Sequence, residues 1–243
     1  MKRYRQILIM SLVLVFFFAI SGCKNEIPSG NLTRHSPNLV LKDKYTLRGE
    51  KNLYSGYQPI DSVGYINVVV EIPTGTNEKW EVDKNTGYLK WEFQNGRPRI
   101  VKYLGYPGNY GMIPRTLLPK EHGGDGDPLD VVVLGPAVSR GRILKARLIG
   151  VMRMIDNGQR DDKLIAIMAD SPLGNIRSIV EMNEKFSGIS HILDIWFSNY
   201  KGPGKTQSKG FGGMDEAQMI LRTAMEDYET QKQASERQSI LQR

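Results

Sequence analysis

The 243-residue sequence predicts an α+β fold, and two observations carry that assignment. Runs rich in β-branched residues fill the middle of the chain, and near Ile189 the apolar period becomes helical. Strands first and helices last is the order expected when helices are segregated from the sheet. Tyr65–Ile72 (YINVVVEI) is almost continuously apolar and β-branched, which predicts a buried strand. Trp80–Phe93 alternates on both sides of the turn signal Asp83-Lys84-Asn85-Thr86-Gly87 and predicts a hairpin. Further strands are predicted at Arg99–Leu104, Val131–Leu134, Ile143–Ile155 and Lys163–Met168. Ile189, Ile192, Leu193, Trp196, Phe197 and Tyr200 recur at helical spacing and predict one apolar stripe. Ala217, Ile220, Leu221, Ala224 and Tyr228 do the same in a C-terminal helix. Its first turn carries Asp215 and Glu216, the favourable sign for the helix dipole. From about Glu229 the chain is polar and is predicted to fray.

A hydrophobic content of 40% is enough for a core, and a single cysteine excludes both an internal disulfide and a Cys-rich zinc site. The formal charge of +7 raises nucleic acid as a partner, but part of that charge is local. Lys2, Arg3 and Arg5 precede Ile7–Ile20, a run of 14 residues broken only by Ser11. Spanning a bilayer takes about 20 apolar residues, so the run suits the core of a secretory signal. It ends in Ile20-Ser21-Gly22-Cys23, which resembles a bacterial lipobox with Cys23 as the lipidated residue. The alternative is a signal cut by the ordinary peptidase, with Cys23 incidental. The expected organisation is a signal over residues 1–22, lipidated Cys23 and a polar tether over 23–40, a folded domain over 41–230 and a polar tail over 231–243. This places the protein in the bacterial envelope, on the outer membrane or periplasmic side, touching membrane through its lipid. Removing residues 1–22 leaves 30 basic against 26 acidic residues, or +4, which weakens the nucleic-acid reading.

The sharpest signal is Gly123-Gly124-Asp125-Gly126-Asp127-Pro128-Leu129-Asp130, running straight into Val131–Leu134. At a separation of about 6 Å and an effective dielectric of about 20, each carboxylate pair repels by roughly 3 kcal/mol. Either solvent screens an acidic turn, or cations intervene. The spacing is not that of an EF-hand loop. Oxygen donors without His or Cys nearby select Mg²⁺, Mn²⁺ or Ca²⁺ over zinc. Asp156, Asp161 and Asp162, followed by Lys163, form a second acidic group between two predicted strands. Glu71, Lys79 and Glu81 form a third on the first strand and hairpin, and Tyr106 and Tyr110 flank a turn. Such tyrosines fit a core with a wetted tip or a ligand site. Gly204-Lys205-Thr206 resembles the end of a P-loop, but Asn199 stands where the first glycine belongs and a helix precedes it.

Taken together, from about Val68 to Tyr228, these motifs resemble the family I soluble inorganic pyrophosphatases. The signature Asp-x-Asp-Pro-hydrophobic-Asp stands as Asp125–Asp130, with Glu71-Ile-Pro, Lys79-x-Glu81, Asn109-Tyr110-Gly111, Asp156, Asp161, Lys163 and Tyr200-Lys201 around it in order. The resemblance implies a five-stranded OB-like β-barrel flanked by helices, acting on pyrophosphate as a homo-oligomer with several Mg²⁺ ions, or Mn²⁺ in their place. It further implies that Asp125, Asp130, Asp156, Asp161 and Glu81 hold metal, with Glu71 in the same acidic wall. Asp127 would accept the proton of the attacking water, and Lys79, Lys163, Tyr110, Tyr200, Lys201 and an arginine would hold phosphate oxygens. Arg97 and Arg99 are both available for that arginine, and Arg99-Ile-Val is the better match. Hydrolysis of other phosphoanhydrides, or a non-catalytic lipoprotein binding metal or phosphate on the same fold, are the alternatives.

Overall fold

The computed structural model describes residues 35–241; Cys23 and the expected signal lie outside them. Two strands, β1 (Leu39–Asp43) and β2 (Thr46–Gly49), precede β3 (Ile66–Ile72). The predicted hairpin is β4 (Trp80–Val82) and β5 (Leu89–Trp91), followed by a short pair, β6 (Phe93–Gln94) and β7 (Arg97–Pro98). Next come β8 (Asn109–Met112), β9 (Asp130–Leu134), β10 (Ile143–Asp156), β11 (Gln159–Arg160) and β12 (Lys163–Met168). Helices α1 (Ile179–Lys185) and α2 (Ile189–Asn199), strand β13 (Thr206–Gly212) and helix α3 (Met214–Leu241) complete the chain. No described helix is long and apolar enough to cross a membrane.

The barrel follows from the pairings. β3 pairs with β8, β8 with β9, β9 in parallel with β12, β12 with β10, and β10 back with β3, so five strands close on themselves. Closure removes the edges that an open sheet would expose. Both faces of these strands are covered, which explains why β3 reads as a continuous apolar run. Val68, Val70, Val131, Val133, Leu164 and Ala166 pack with Ala217, Ile220, Leu221 and Ala224 of α3. The alternate residues Val132, Ile149, Ile165 and Ile167 pack with Leu193, Trp196 and Phe197 of α2. A separate sheet, β1-β2-β5-β4, lays Leu39, Leu47, Trp80 and Leu89 against Val69 and Met112.

Four details differ from the sequence reading. Arg99–Leu104 forms no strand: Pro98 closes the short β6–β7 pair before it, only Ile100 bridges to Glu78, and Ile100 and Leu104 are exposed. The strand arises instead at Asn109–Met112, all four residues buried, where Gly111 is required because a Cβ would overlap the Val69 carbonyl. The α2 stripe is narrower than expected, because Ile192 lies at the edge of the arc set by Leu193, Trp196 and Phe197 and is 58% exposed. The ordered domain is also longer at both ends. Ser36 N–H donates to the Arg140 carbonyl and Leu39 is buried, inside the expected tether, while α3 stays helical through its exposed end to Leu241.

Glu71, on β3, is buried, and its Oε1 accepts the Val82 N–H at 2.7 Å, tying the hairpin to the barrel. Burial, with Glu81 adding, pushes its carboxyl up to about 8 against the partial relief of Lys79, so near neutral pH it is mostly protonated.

Two outcomes follow for stability. Gly111→Ala should lower the unfolding free energy by about 1–3 kcal/mol in urea titrations, through overpacking between β8 and β3. Glu71 has a folded-state value above its unfolded one, so its contribution is full below about 4.5 and lost as pH rises through about 8. In chelator, the urea midpoint should therefore fall across that window, and Glu71→Gln should flatten the fall; parallel profiles would contradict the assignment.

Candidate active site

Thirteen residues to which the resemblance assigns a role line one cleft of about 200 Å³: Glu71, Lys79, Glu81, Arg99, Tyr110, Asp125, Asp127, Asp130, Asp156, Asp161, Lys163, Tyr200 and Lys201. The barrel makes this possible because strand ends meet at one rim. Asp130 opens β9, Lys163 opens β12, Asp156 closes β10, and Tyr110 lies on β8. The parallel register sets Val131 against Leu164, which places Asp130 beside Lys163. Tyr200 and Lys201 arrive from the C-terminal end of α2, where the Tyr200 ring stacks on Trp196 at 4.7 Å.

Carboxylates and ammonium groups alternate around the cleft. The buried Lys163 Nζ donates to Asp130 and Asp161, Lys201 to Asp156, and Lys79 pairs with Glu81 at 2.7 Å. Burial opposes charge on Asp130, yet Lys163 and Lys79 outweigh it and hold that carboxyl below the usual carboxylate range. Burial likewise opposes charge on Lys163, but Asp130 and Asp161 keep it firmly cationic. Lys79 holds Glu81 low. Asp125 and Asp161 move up instead, mainly through burial, with neighbouring carboxylates adding to it. Burial raises the Tyr110 and Tyr200 hydroxyls well above their ordinary value, so both remain donors.

Of the two arginines, Arg99 faces the cleft and Arg97 is exposed away from it. Both Oε atoms of Glu92 lie 2.8 Å from Arg99 Nη1, a brace that the sequence did not reveal. Tyr106 is core, 2% exposed and packed on Trp196. Asp162 turns away from the cleft, accepting the Met154 N–H at 2.9 Å and pairing with Arg160 at 2.6 Å. Gln159 and Arg160 line the mouth and were missed, since nothing in their spacing sets them apart from a polar turn. Thr206 opens β13, its hydroxyl donating to the Phe197 carbonyl, so the P-loop-like segment is structural.

Seven carboxylates face five cationic side chains here. Among the described residues no three His, Cys, Asp or Glu side chains converge as a formed metal centre; lysine ammonium groups lie between the acids. The donor set is nevertheless all oxygen and in anionic excess, and this suits hard divalent cations. Such a cleft can bind a polyanion through its lysines and arginines, and cations through its acids.

The family model for inorganic pyrophosphatase matches residues 68–229. A soluble inorganic pyrophosphatase of rice is 49% identical over 108 residues, 44% of this chain, and the chain spans only 45% of that relative's length. Soluble inorganic pyrophosphatase 2 of Chlamydomonas reinhardtii is 35% identical over 177 residues, covering 70% of this chain and 83% of the relative. The structure of the Helicobacter pylori inorganic pyrophosphatase superposes with a TM-score of 0.60 at 30% identity, covering 71% of this chain and 98% of that one. The matched span contains the whole rim of acids, lysines and tyrosines, and the chain belongs to the inorganic pyrophosphatase family.

Proposed function

We propose that the cleft hydrolyses inorganic pyrophosphate to two phosphates with Mg²⁺, Mn²⁺ being able to substitute. The observation that carries this is the alternation of acids and lysines around a volume of about 200 Å³. That is below the ~300–1,000 Å³ of sites for drug-sized ligands and suits a small polyanion with its counter-ions. Pyrophosphate carries up to four negative charges, which repel a nucleophile until they are neutralised. Lys79, Arg99, Lys163 and Lys201 supply fixed positive charge for its oxygens. Tyr110 and Tyr200, held neutral, donate hydrogen bonds that orient the phosphate undergoing attack. Asp125, Asp130, Asp156, Asp161 and Glu81 would hold the cations. When bound, Mg²⁺ neutralises substrate charge and makes water more acidic. Asp127, with its side chain 57% exposed, takes the proton of the attacking water and returns it to solvent. One P–O bond forms in line as the bridging P–O bond breaks, and the second phosphate leaves toward the lysines.

We also propose that Cys23 carries lipid and anchors the enzyme in the bacterial envelope. The supporting pattern is Lys2, Arg3 and Arg5, the apolar run Ile7–Ile20 and Ile20-Ser21-Gly22 before the chain's one cysteine.

With Mg²⁺ the purified protein should release phosphate from pyrophosphate, and EDTA should abolish release. Asp130→Ala should lower kcat at least about a hundredfold, since it removes a donor and leaves Lys163 buried without one of its partners. Normal turnover by Asp130→Ala would refute the site. In a bacterial host, labelled palmitate should enter the wild-type protein and not Cys23→Ala; equal labelling would refute the anchor.

A further inference from the structure

The hairpin tip between β4 and β5 touches the acidic loop from outside the cleft. Asp83 builds the tip: its Oδ1 accepts the Thr86 N–H at 2.8 Å and the Thr86 hydroxyl at 2.6 Å, and its Oδ2 pairs with Lys90 at 3.1 Å. The tip is seated on the N-terminal segment. Leu53 N–H donates to the Gly87 carbonyl at 3.1 Å, and a Cβ at Gly87 (φ +68°) would collide with the Asn52 carboxamide. Asn52 Oδ1 in turn accepts the Tyr54 and Ser55 N–H groups, each at 2.9 Å, and Arg115 Nε donates to the Ser55 carbonyl at 2.8 Å.

From this braced turn Lys84 reaches the loop that carries the proposed base. Its ammonium pairs with Asp127 Oδ1 at 2.6 Å and donates to the Gly126 carbonyl. The same loop is held from its other side, where Gly126 N–H donates to the Leu118 carbonyl at 2.7 Å and Leu118 N–H to the Asp127 carbonyl at 2.9 Å. Asp127 N–H is further tied to Asp125 Oδ1 at 2.9 Å. The loop backbone is thus fixed on one side by Leu118, and the Asp127 carboxylate on the other by Lys84. Lys84 itself does not line the cleft.

We propose that Lys84 is a positioning residue, holding the Asp127 carboxylate and the Gly126 peptide in place and transmitting to them the rigidity of the N-terminal segment. The proposal rests on Asp127 acting as the base. With side chains 39% and 57% exposed, the pair contributes little to stability, so its effect is on orientation. A base displaced by about 1 Å can cost on the order of a hundredfold in rate.

The test is a double-mutant cycle at fixed Mg²⁺ with pyrophosphate as substrate. Lys84→Ala should lower kcat by about 10- to 50-fold, leave KM within about twofold and leave Tm within about 2 °C. Lys84→Arg, which can still pair with the carboxylate, should recover kcat to within about threefold of wild type. In an Asp127→Ala background, Lys84→Ala should change kcat by less than about twofold, because the group it positions is gone. An unchanged kcat in Lys84→Ala, or the same loss with and without Asp127, would overturn the proposal while leaving the pyrophosphatase reading intact. A wild-type protein without turnover would overturn both.

Discussion

A buried ammonium shared by two carboxylates is the contact on which the site depends. Lys163 is buried, and without it Asp130 and Asp161 would face each other across the cleft with no cation between them. Removing one member of such a group leaves uncompensated charge, which costs more than the intact group contributes. The parallel pairing of β9 with β12 makes the contact unavoidable, because their register brings the first residue of each strand side by side. Moving either strand by one residue would turn its side chains to the other face and separate the pair. The register of the barrel and the charge arrangement of the cleft are therefore one constraint.

Around this centre the fold gathers groups from distant parts of the chain. Glu71 and Lys201 stand far apart in sequence, yet both belong to the rim because strands β3, β8, β9, β10 and β12 close on one another. Burial then acts on the acids unequally. Lysine proximity keeps Asp130 ionised, whereas Glu71, deeper and tied to the hairpin by a backbone N–H, favours its protonated form. Glu71 thus behaves first as a brace between barrel and hairpin and only second as part of the acidic wall.

Much of this was legible in the sequence, and for physical reasons. The β-branched runs announce strands buried on both faces, and three aspartates within six residues call for either solvent screening or cations. The family resemblance pointed to thirteen residues that the fold gathers around one cleft, with Gln159 and Arg160 beside them unannounced; periodicity alone would have given only acidic loops. What sequence could not show depends on tertiary closure. Asn109–Met112 has no alternation because both its faces are covered, so periodicity did not reveal it as a strand. Arg99–Leu104 looks apolar but lacks a neighbour with which to pair along its length. Glu92 and Lys84 are ordinary surface charges in sequence, and only the fold brings them to Arg99 and Asp127.

The fourteen residues of β10 pair with β3, β11, β12 and β13 in turn. One strand thus serves as the common seam of the barrel, and its partners come from both ends of the domain. Pairings between distant segments carry a loop-closure cost before they are rewarded, which makes such topologies slow to form. During synthesis the rim cannot assemble until the chain has passed Lys201, when β10, β12 and α2 are all available. A nascent chain would then display its acids singly, as solvated charges with little hold on divalent ions. Cation affinity and substrate affinity would appear together, at the end of folding, as one cooperative event.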